Sequence, residues 1–278
     1  IPNCTKKLPG NIFQLNAVNY KNPDQLKEGN AIVVGSGRSG IQIAYEIKKL
    51  TDKKVWLSIG SLKPIPTIHK QTNGVFWLNR LSGFTDHEEI IHYNEDDTIN
   101  SNIISKIYQN IALCFDEGVE LIGRMNECSN GKLKLATNLA ENIESGNVYL
   151  KEMLKLIDNH IDDCKIDVPN DSLDFKIPKL DLSKLEEMQY LDLKENNIAN
   201  VIWCTGFRPD YDFIKFDIFN ESGYPKHNRG ITEKIGLYFT GQELDPGFGG
   251  KSSFGIGLFA ISNDAKYVVE DIIKKDTK

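Results

Sequence analysis

Apolar and polar positions set out a strand, a helix and a second strand near the start of the chain. Ala31-Ile32-Val33-Val34 is an uninterrupted apolar run, the pattern of a strand buried on both faces. Ile41, Ala44, Ile47 and Leu50 then recur at helical spacing, and Val55-Trp56-Leu57 is the next apolar run. This order predicts an α/β unit with a parallel sheet. Further on, a proline-broken loop leads to a short aromatic helix with Phe76, Trp77 and Leu81. Residues 117–137 predict two strands joined at Asn130-Gly131, a strong hairpin signal. Residues 138–165 read as largely helical, with Val148, Met153, Leu154, Ile157 and Ile161 as apolar positions. Residues 1–28 read as an irregular lead-in and residues 170–197 as a polar connector with a short helix. Val201-Ile202-Trp203-Cys204 is another buried-strand run, residues 236–242 read as a strand ending at Thr240-Gly241, and residues 254–275 as a helix.

The turn between the first strand and its helix carries the chemistry. Gly35, Gly37 and Gly40 stand in the spacing G-x-G-x-x-G. The first glycine suits a tight turn, the second lets backbone approach a pyrophosphate, and the third lets helix and strand pack closely. The helix start adds free N–H groups and a partial positive charge. The plain alternative is a glycine-rich turn with no ligand. An NAD site usually carries an acidic residue at the end of the second strand to hold the ribose 2′-OH. Here that position reads Ser58-Ile59-Gly60-Ser61, while Arg38 lies in the turn and Lys63 just beyond the strand. The absent carboxylate and the two basic residues favour NADP over NAD, unless the two are merely solvated charges. Glycine-rich residues 245–253 lead into the last helix. That arrangement suits an anion or a ring edge, or only closes a sheet.

Composition narrows the class. The 278 residues are 40% hydrophobic and 26% charged, with a net charge of −6. They describe a globular protein long enough for one large or two ordinary domains, and not a general binder of nucleic acid or membrane surfaces. No apolar run approaches membrane-spanning length. The five cysteines include no C-x-x-C pair, which points to a reduced, cytoplasmic setting. The five histidines make no metal-ligand pattern, His87 and His92 included, so no metal is expected. The chain opens on Ile1-Pro2-Asn3-Cys4 without a starting methionine.

Taken together, "IFQLNAVNYKNPDQLKEGNAIVVGSGRSGIQIAYEI", "VWLSIGSLKPIP", "GVFWLNRL", "GVELIGRMNECSNGKLKLATNLAENI", "VIWCTGFRPDYDFI" and "GYPKHNRGITEKIGLYFTGQ" resemble the flavin-containing monooxygenase-like proteins. These are the class B flavoprotein monooxygenases, and the likeness is greatest to their bacterial FAD/NAD(P)-dependent oxidoreductases. It runs from near Ile1 to near Ile273 and is weakest between about Pro169 and Lys184.

The resemblance implies a two-domain enzyme. A lead-in of residues 1–28 would precede a Rossmann-like NADP-binding domain over 29–200, with a parallel sheet, helices on both faces and an added hairpin. Residues 201–278 would be the C-terminal part of a second, FAD-binding Rossmann-like domain. It implies that NADPH reduces FAD and that O2 then forms a C4a-(hydro)peroxyflavin, which oxygenates a small substrate. Gly35, Ser36, Gly37, Arg38, Ser39 and Gly40 would surround the NADP pyrophosphate, with Ser58 and Lys63 beyond it. Thr205 and Gly206 would lie at the linker between domains, Gly241 and Gln242 near the flavin, and Ser252 and Ser253 close to its ring.

The chain departs from the family pattern in four places. Asn16 stands where the family has a histidine, Ser61 where it often has an arginine, and Cys204 replaces the alanine of the A-T-G linker motif. Only one G-x-G-x-x-G is present where the family has two, so the FAD domain is expected to lack its N-terminal half. No catalytic acid or base can be named: Asp245 and Lys251 face the expected flavin site but read better as surface charges. Three functions stay open. They are a monooxygenase-type oxidoreductase, an NADPH-dependent reductase that the missing C-x-x-C argues against, and a non-catalytic NADP(H)-binding module. The expected partners are a small-molecule substrate and O2, with a homodimer left open.

Overall fold

The computed structural model describes residues 7–64, 66, 68–81, 111–168, 180–207, 210–240 and 258–276. In chain order the first strands are β1 Phe13–Asn16, β2 Asn30–Val34, β3 Val55–Ser58, β4 Ile68–His69, β5 Thr72–Asn73 and β6 Glu120–Ile122. They are followed by β7 Met125–Ser129, β8 Lys132–Leu135, β9 Tyr190–Asp192, β10 Ile198–Trp203, β11 His227–Asn228 and β12 Ile231–Thr232. The helices are α1 Arg38–Leu50, α2 Gly74–Leu81, α3 Ile111–Asp116, α4 Leu139–Asp163 and α5 Leu258–Asp276. The chain divides into two compact units. One takes Ile1–Thr67, Asn94–Met153 and Phe175–Arg208, the other Ile68–Tyr93, Leu154–Asp174 and Pro209–Lys278.

The first unit is built on a five-stranded parallel sheet in the order β1-β10-β2-β3-β6. Period-two alternation assigns each strand's side chains to two layers. Ala31 and Val33 of β2 join Ile41, Ala44 and Ile47 of α1, Cys114 of α3 and Leu139 and Ile143 of α4 in one core. Ile32 and Val34 join Trp56, Ile122, Val201 and Trp203 in a second core. That second face is covered by the antiparallel sheet β7-β8-β9, through Cys128, Leu133, Leu135 and Leu191. The α/β class is as expected. The hairpin is no mere addition, because with β9 it takes the place on that face where helices were expected.

The Asn130-Gly131 turn forms as the sequence predicts, with φ of 51° and 73°. Both central residues are left-handed, as a two-residue hairpin turn requires. The lead-in is not irregular throughout: residues 13–16 form β1, paired with β10 from Phe13↔Asn200 to Asn16↔Trp203. Within 170–197, residues 190–192 form β9. Residues 236–240 do not form the expected strand; Tyr238 makes a single bridge to Ile231.

In the second unit, β4 and β5 form a tight hairpin ahead of α2. His69 Nε2 lies 2.6 Å from Asp158 Oδ1. The buried Trp77 donates its indole N–H to the His69 carbonyl at 2.8 Å. The Arg229 guanidinium stacks 4.3 Å from the Tyr267 ring centroid on α5. Among the described residues no helix is long and apolar enough to cross a membrane.

Candidate functional site

The site lies at the carboxyl ends of β2, β3 and β6, where open parallel sheets bind ligands. The strand ends are level: Val34 pairs with Ser58, and Ser58 with Ile122. Gly35 N–H donates to the Ser58 carbonyl at 3.0 Å, so the chain leaves β2 still tied to β3. The turn then passes into α1, whose first helical bond runs from Ile41 N–H to the Gly37 carbonyl at 3.1 Å. Gly37 is the N-cap and offers no side-chain cap, so the first N–H groups of α1 have no acceptor from that residue.

The three glycines differ in what holds them. Gly35 has φ of +112°, and a Cβ there would stand 2.3 Å from the Cys204 carbonyl oxygen. A Cβ on Gly40 would stand 1.7 Å from the Gly35 carbonyl oxygen. Both are fixed by the fold itself. Gly37 has an ordinary φ of −73° and nothing within 4 Å of the position a Cβ would take. Nothing in the described protein requires glycine there. The open space lies directly over the helix start.

Around this turn Ser36 is buried, while Arg38 and Ser39 are exposed on the first turn of α1. Ser58 is also buried, and its hydroxyl is engaged within the fold. Its Oγ donates to the Gly123 carbonyl at 3.1 Å and accepts from Met125 N–H at 3.0 Å. Lys63 is exposed in a stretch outside any strand or helix. Thr205 and Gly206 follow β10 and are exposed, and φ of +86° accounts for glycine at 206. Gly241, Gln242, Ser252 and Ser253 lie outside the described residues, as do Asp245 and Lys251. The structure therefore brings Gly35 to Gly40 and Ser58 together and gives Ser58 a role in holding backbone.

Arg124, which no local motif marks, stands at the same edge. A methyl group built on Gly60 would lie 3.1 Å from both Nε and Nη2 of Arg124. The guanidinium thus sits against the bare Cα of Gly60, past the end of β3. The signal in the sequence is only a Gly-Arg step after an apolar run. Its neighbour Gly123 is forced, because a Cβ there would meet the Ala136 carbonyl oxygen at 1.8 Å.

Two nearby ionisable groups, Cys204 and Tyr20, are held neutral. Burial pushes the Cys204 thiol up to about 12. Burial, with the Glu46 carboxylate adding to it, raises the Tyr20 phenol well above its usual range. Neither is a thiolate or phenolate near neutral pH. The turn can bind and orient, but these two groups do not supply a nucleophile.

No family model matches the chain. Among curated proteins, a match of 26% identity over 274 residues covers 98% of this chain and 61% of an uncharacterized CzcO-like oxidoreductase of Geobacillus kaustophilus. The chain is similar to the CzcO-like oxidoreductases. Uncharacterized CzcO oxidoreductases of Bacillus subtilis, at 26%, and Bacillus velezensis, at 25%, match over the same share of both chains. The expected resemblance to bacterial oxidoreductases of this group is thus met. The chain spans 61% of the length of these CzcO-like relatives. Two solved structures of flavin monooxygenase from Stenotrophomonas maltophilia, one of them a double mutant, are each 14% identical. The mutant aligns over 94% of this chain and 55% of its own at a TM-score of 0.48, the other over 83% and 46% at 0.39.

Proposed function

We propose that the chain is the NADP-binding part, with some of the flavin-binding part, of an FAD- and NADPH-dependent oxidoreductase of monooxygenase type. One observation carries the dinucleotide reading. Gly37 faces open space over a helix start, and a ligand whose backbone contacts need that space accounts for the missing side chain. The residues present fit a dinucleotide pyrophosphate: Gly35 to Gly40 would hold it, with Arg38 and Ser39 at its side. The oxidoreductase class is carried over from the CzcO-like relatives, and the flavin and oxygenase assignment from the family resemblance. When bound, NADPH is a source of hydride and FAD a carrier of its electrons to O2. The protein's own share is to bind, orient and exclude water. The substrate is a small molecule, and the setting is the cytoplasm.

The test is to titrate NADPH and FAD into the chain and then supply 18O2. Tight NADPH binding supports the turn assignment. Label from O2 in an added organic substrate supports oxygenation over simple reduction, whereas peroxide alone is what reduced flavin gives without a substrate and does not separate the two. Failure to bind NADPH at all overturns the whole reading.

A further inference from the structure

We propose that Arg124 recognises the 2′ position of the bound nucleotide, contacting the 2′-phosphate of NADP and selecting it over NAD. This rests on the dinucleotide reading of the β2–α1 turn and names the residue that decides which dinucleotide is taken. With the pyrophosphate over that turn, the adenosine ribose lies past the end of the next strand, β3. In this chain that end is Ser58 to Ser61, with no carboxylate to accept from a 2′-OH or to repel a phosphate. The guanidinium beside Gly60 fills the position instead. Its planar fork of donors matches phosphate oxygens.

Two further features set Arg124 apart from Arg38 and Lys63. Its backbone is clamped on both sides, by Ser58 Oγ at the Gly123 carbonyl and at Met125 N–H. Its own carbonyl accepts from Ala136 N–H at 2.9 Å. Its side chain is exposed, and among the described residues no carboxylate or carbonyl engages it. A rigidly mounted cation with an uncommitted head is what selective phosphate recognition needs. Ser58 is then a positioning residue, acting through the backbone on either side of Arg124.

The probes are 2′,5′-ADP and 5′-AMP, titrated calorimetrically into the chain and into Arg124→Gln, Arg124→Lys and Ser58→Ala. The chain is expected to prefer 2′,5′-ADP by about tenfold or more. Arg124→Gln should bring that ratio to about twofold or less with 5′-AMP affinity unchanged, and Arg124→Lys should keep part of it. Ser58→Ala should lower the ratio of the two affinities, an outcome that a loss of stability alone does not produce. A ratio that survives in Arg124→Gln, or an equal loss for both probes, overturns the assignment while leaving the dinucleotide reading in place. If the unaltered chain binds neither probe, that reading falls and the inference falls with it.

Discussion

Gly37→Ala separates a ligand-imposed glycine from a fold-imposed one. The residue has φ of −73° and ψ of 177°, which alanine adopts freely, and the new methyl meets no atom within 4 Å. Stiffening the unfolded chain contributes about 0.4–1 kcal/mol, and the poorer alanine N-cap offsets it by a similar amount. The ligand-free protein should therefore melt within a few degrees of the original. Binding is another matter. On the proposed reading, a methyl over the helix start would push a bound pyrophosphate oxygen out of hydrogen-bond range of the amides below. Two lost charge-assisted bonds at about 1.5 kcal/mol each correspond to a rise in Kd of roughly 100-fold. The assay is a titration followed by nicotinamide fluorescence, paired with a thermal melt. Gly40→Ala is the control: its methyl would stand 1.7 Å from the Gly35 carbonyl oxygen. It should destabilise the fold by about 3 kcal/mol or more. A folded Gly37→Ala protein that binds NADPH within about twofold of the original would refute the cradle, taking the factor of ten per 1.4 kcal/mol as the scale.

Other outcomes follow from the same geometry. Ser58→Ala leaves the Gly123 carbonyl and Met125 N–H without their partner and should cost about 1–3 kcal/mol, read from the urea midpoint. Gly131→Ala meets no neighbour but must adopt φ near +73°, so its cost is conformational, about 1 kcal/mol. Burial pushes Cys204 up to about 12, while the unfolded thiol ionises near roughly 8.5. Between those values the unfolded chain has lost a proton that the native chain keeps. Stability thus falls as pH rises through that window and is unaffected by this group below it. A Cys204→Ala protein should show a shallower loss of urea midpoint over that range, and an identical slope in both proteins would count against the burial.

The β2–turn–α1–β3 segment was legible because three signals agree there: an apolar run, glycines at fixed offsets and helical periodicity. The Asn130-Gly131 turn was legible because few dipeptides tolerate two left-handed residues in succession. Strand β1 was not, since Phe13 to Asn16 lie at the sheet edge and are mostly half-exposed, which leaves little apolar alternation to detect. Strand β9 has three residues with only Leu191 buried, too few for a period. The run at 236–240 misled in the opposite sense: Phe239 is buried, yet its N–H bonds to Gly230 and no ladder extends from it. Arg124 escaped because its place depends on β6 pairing with β3, a contact between distant parts of the chain.

Strand β10 lies between β1 and β2, and the Gly35 turn is moulded against the Cys204 carbonyl. The β2–α1 turn is therefore an early sequence completed by a late one. At synthesis rates of about 5–20 residues per second, the roughly 170 residues between Val34 and Trp203 emerge over something like 10–30 s. Until then β2 has an open parallel edge, and one wall of the turn does not exist. Until residue 203 has cleared the ribosome, the backbone N–H and C=O groups along that edge of β2 lack their β10 partners.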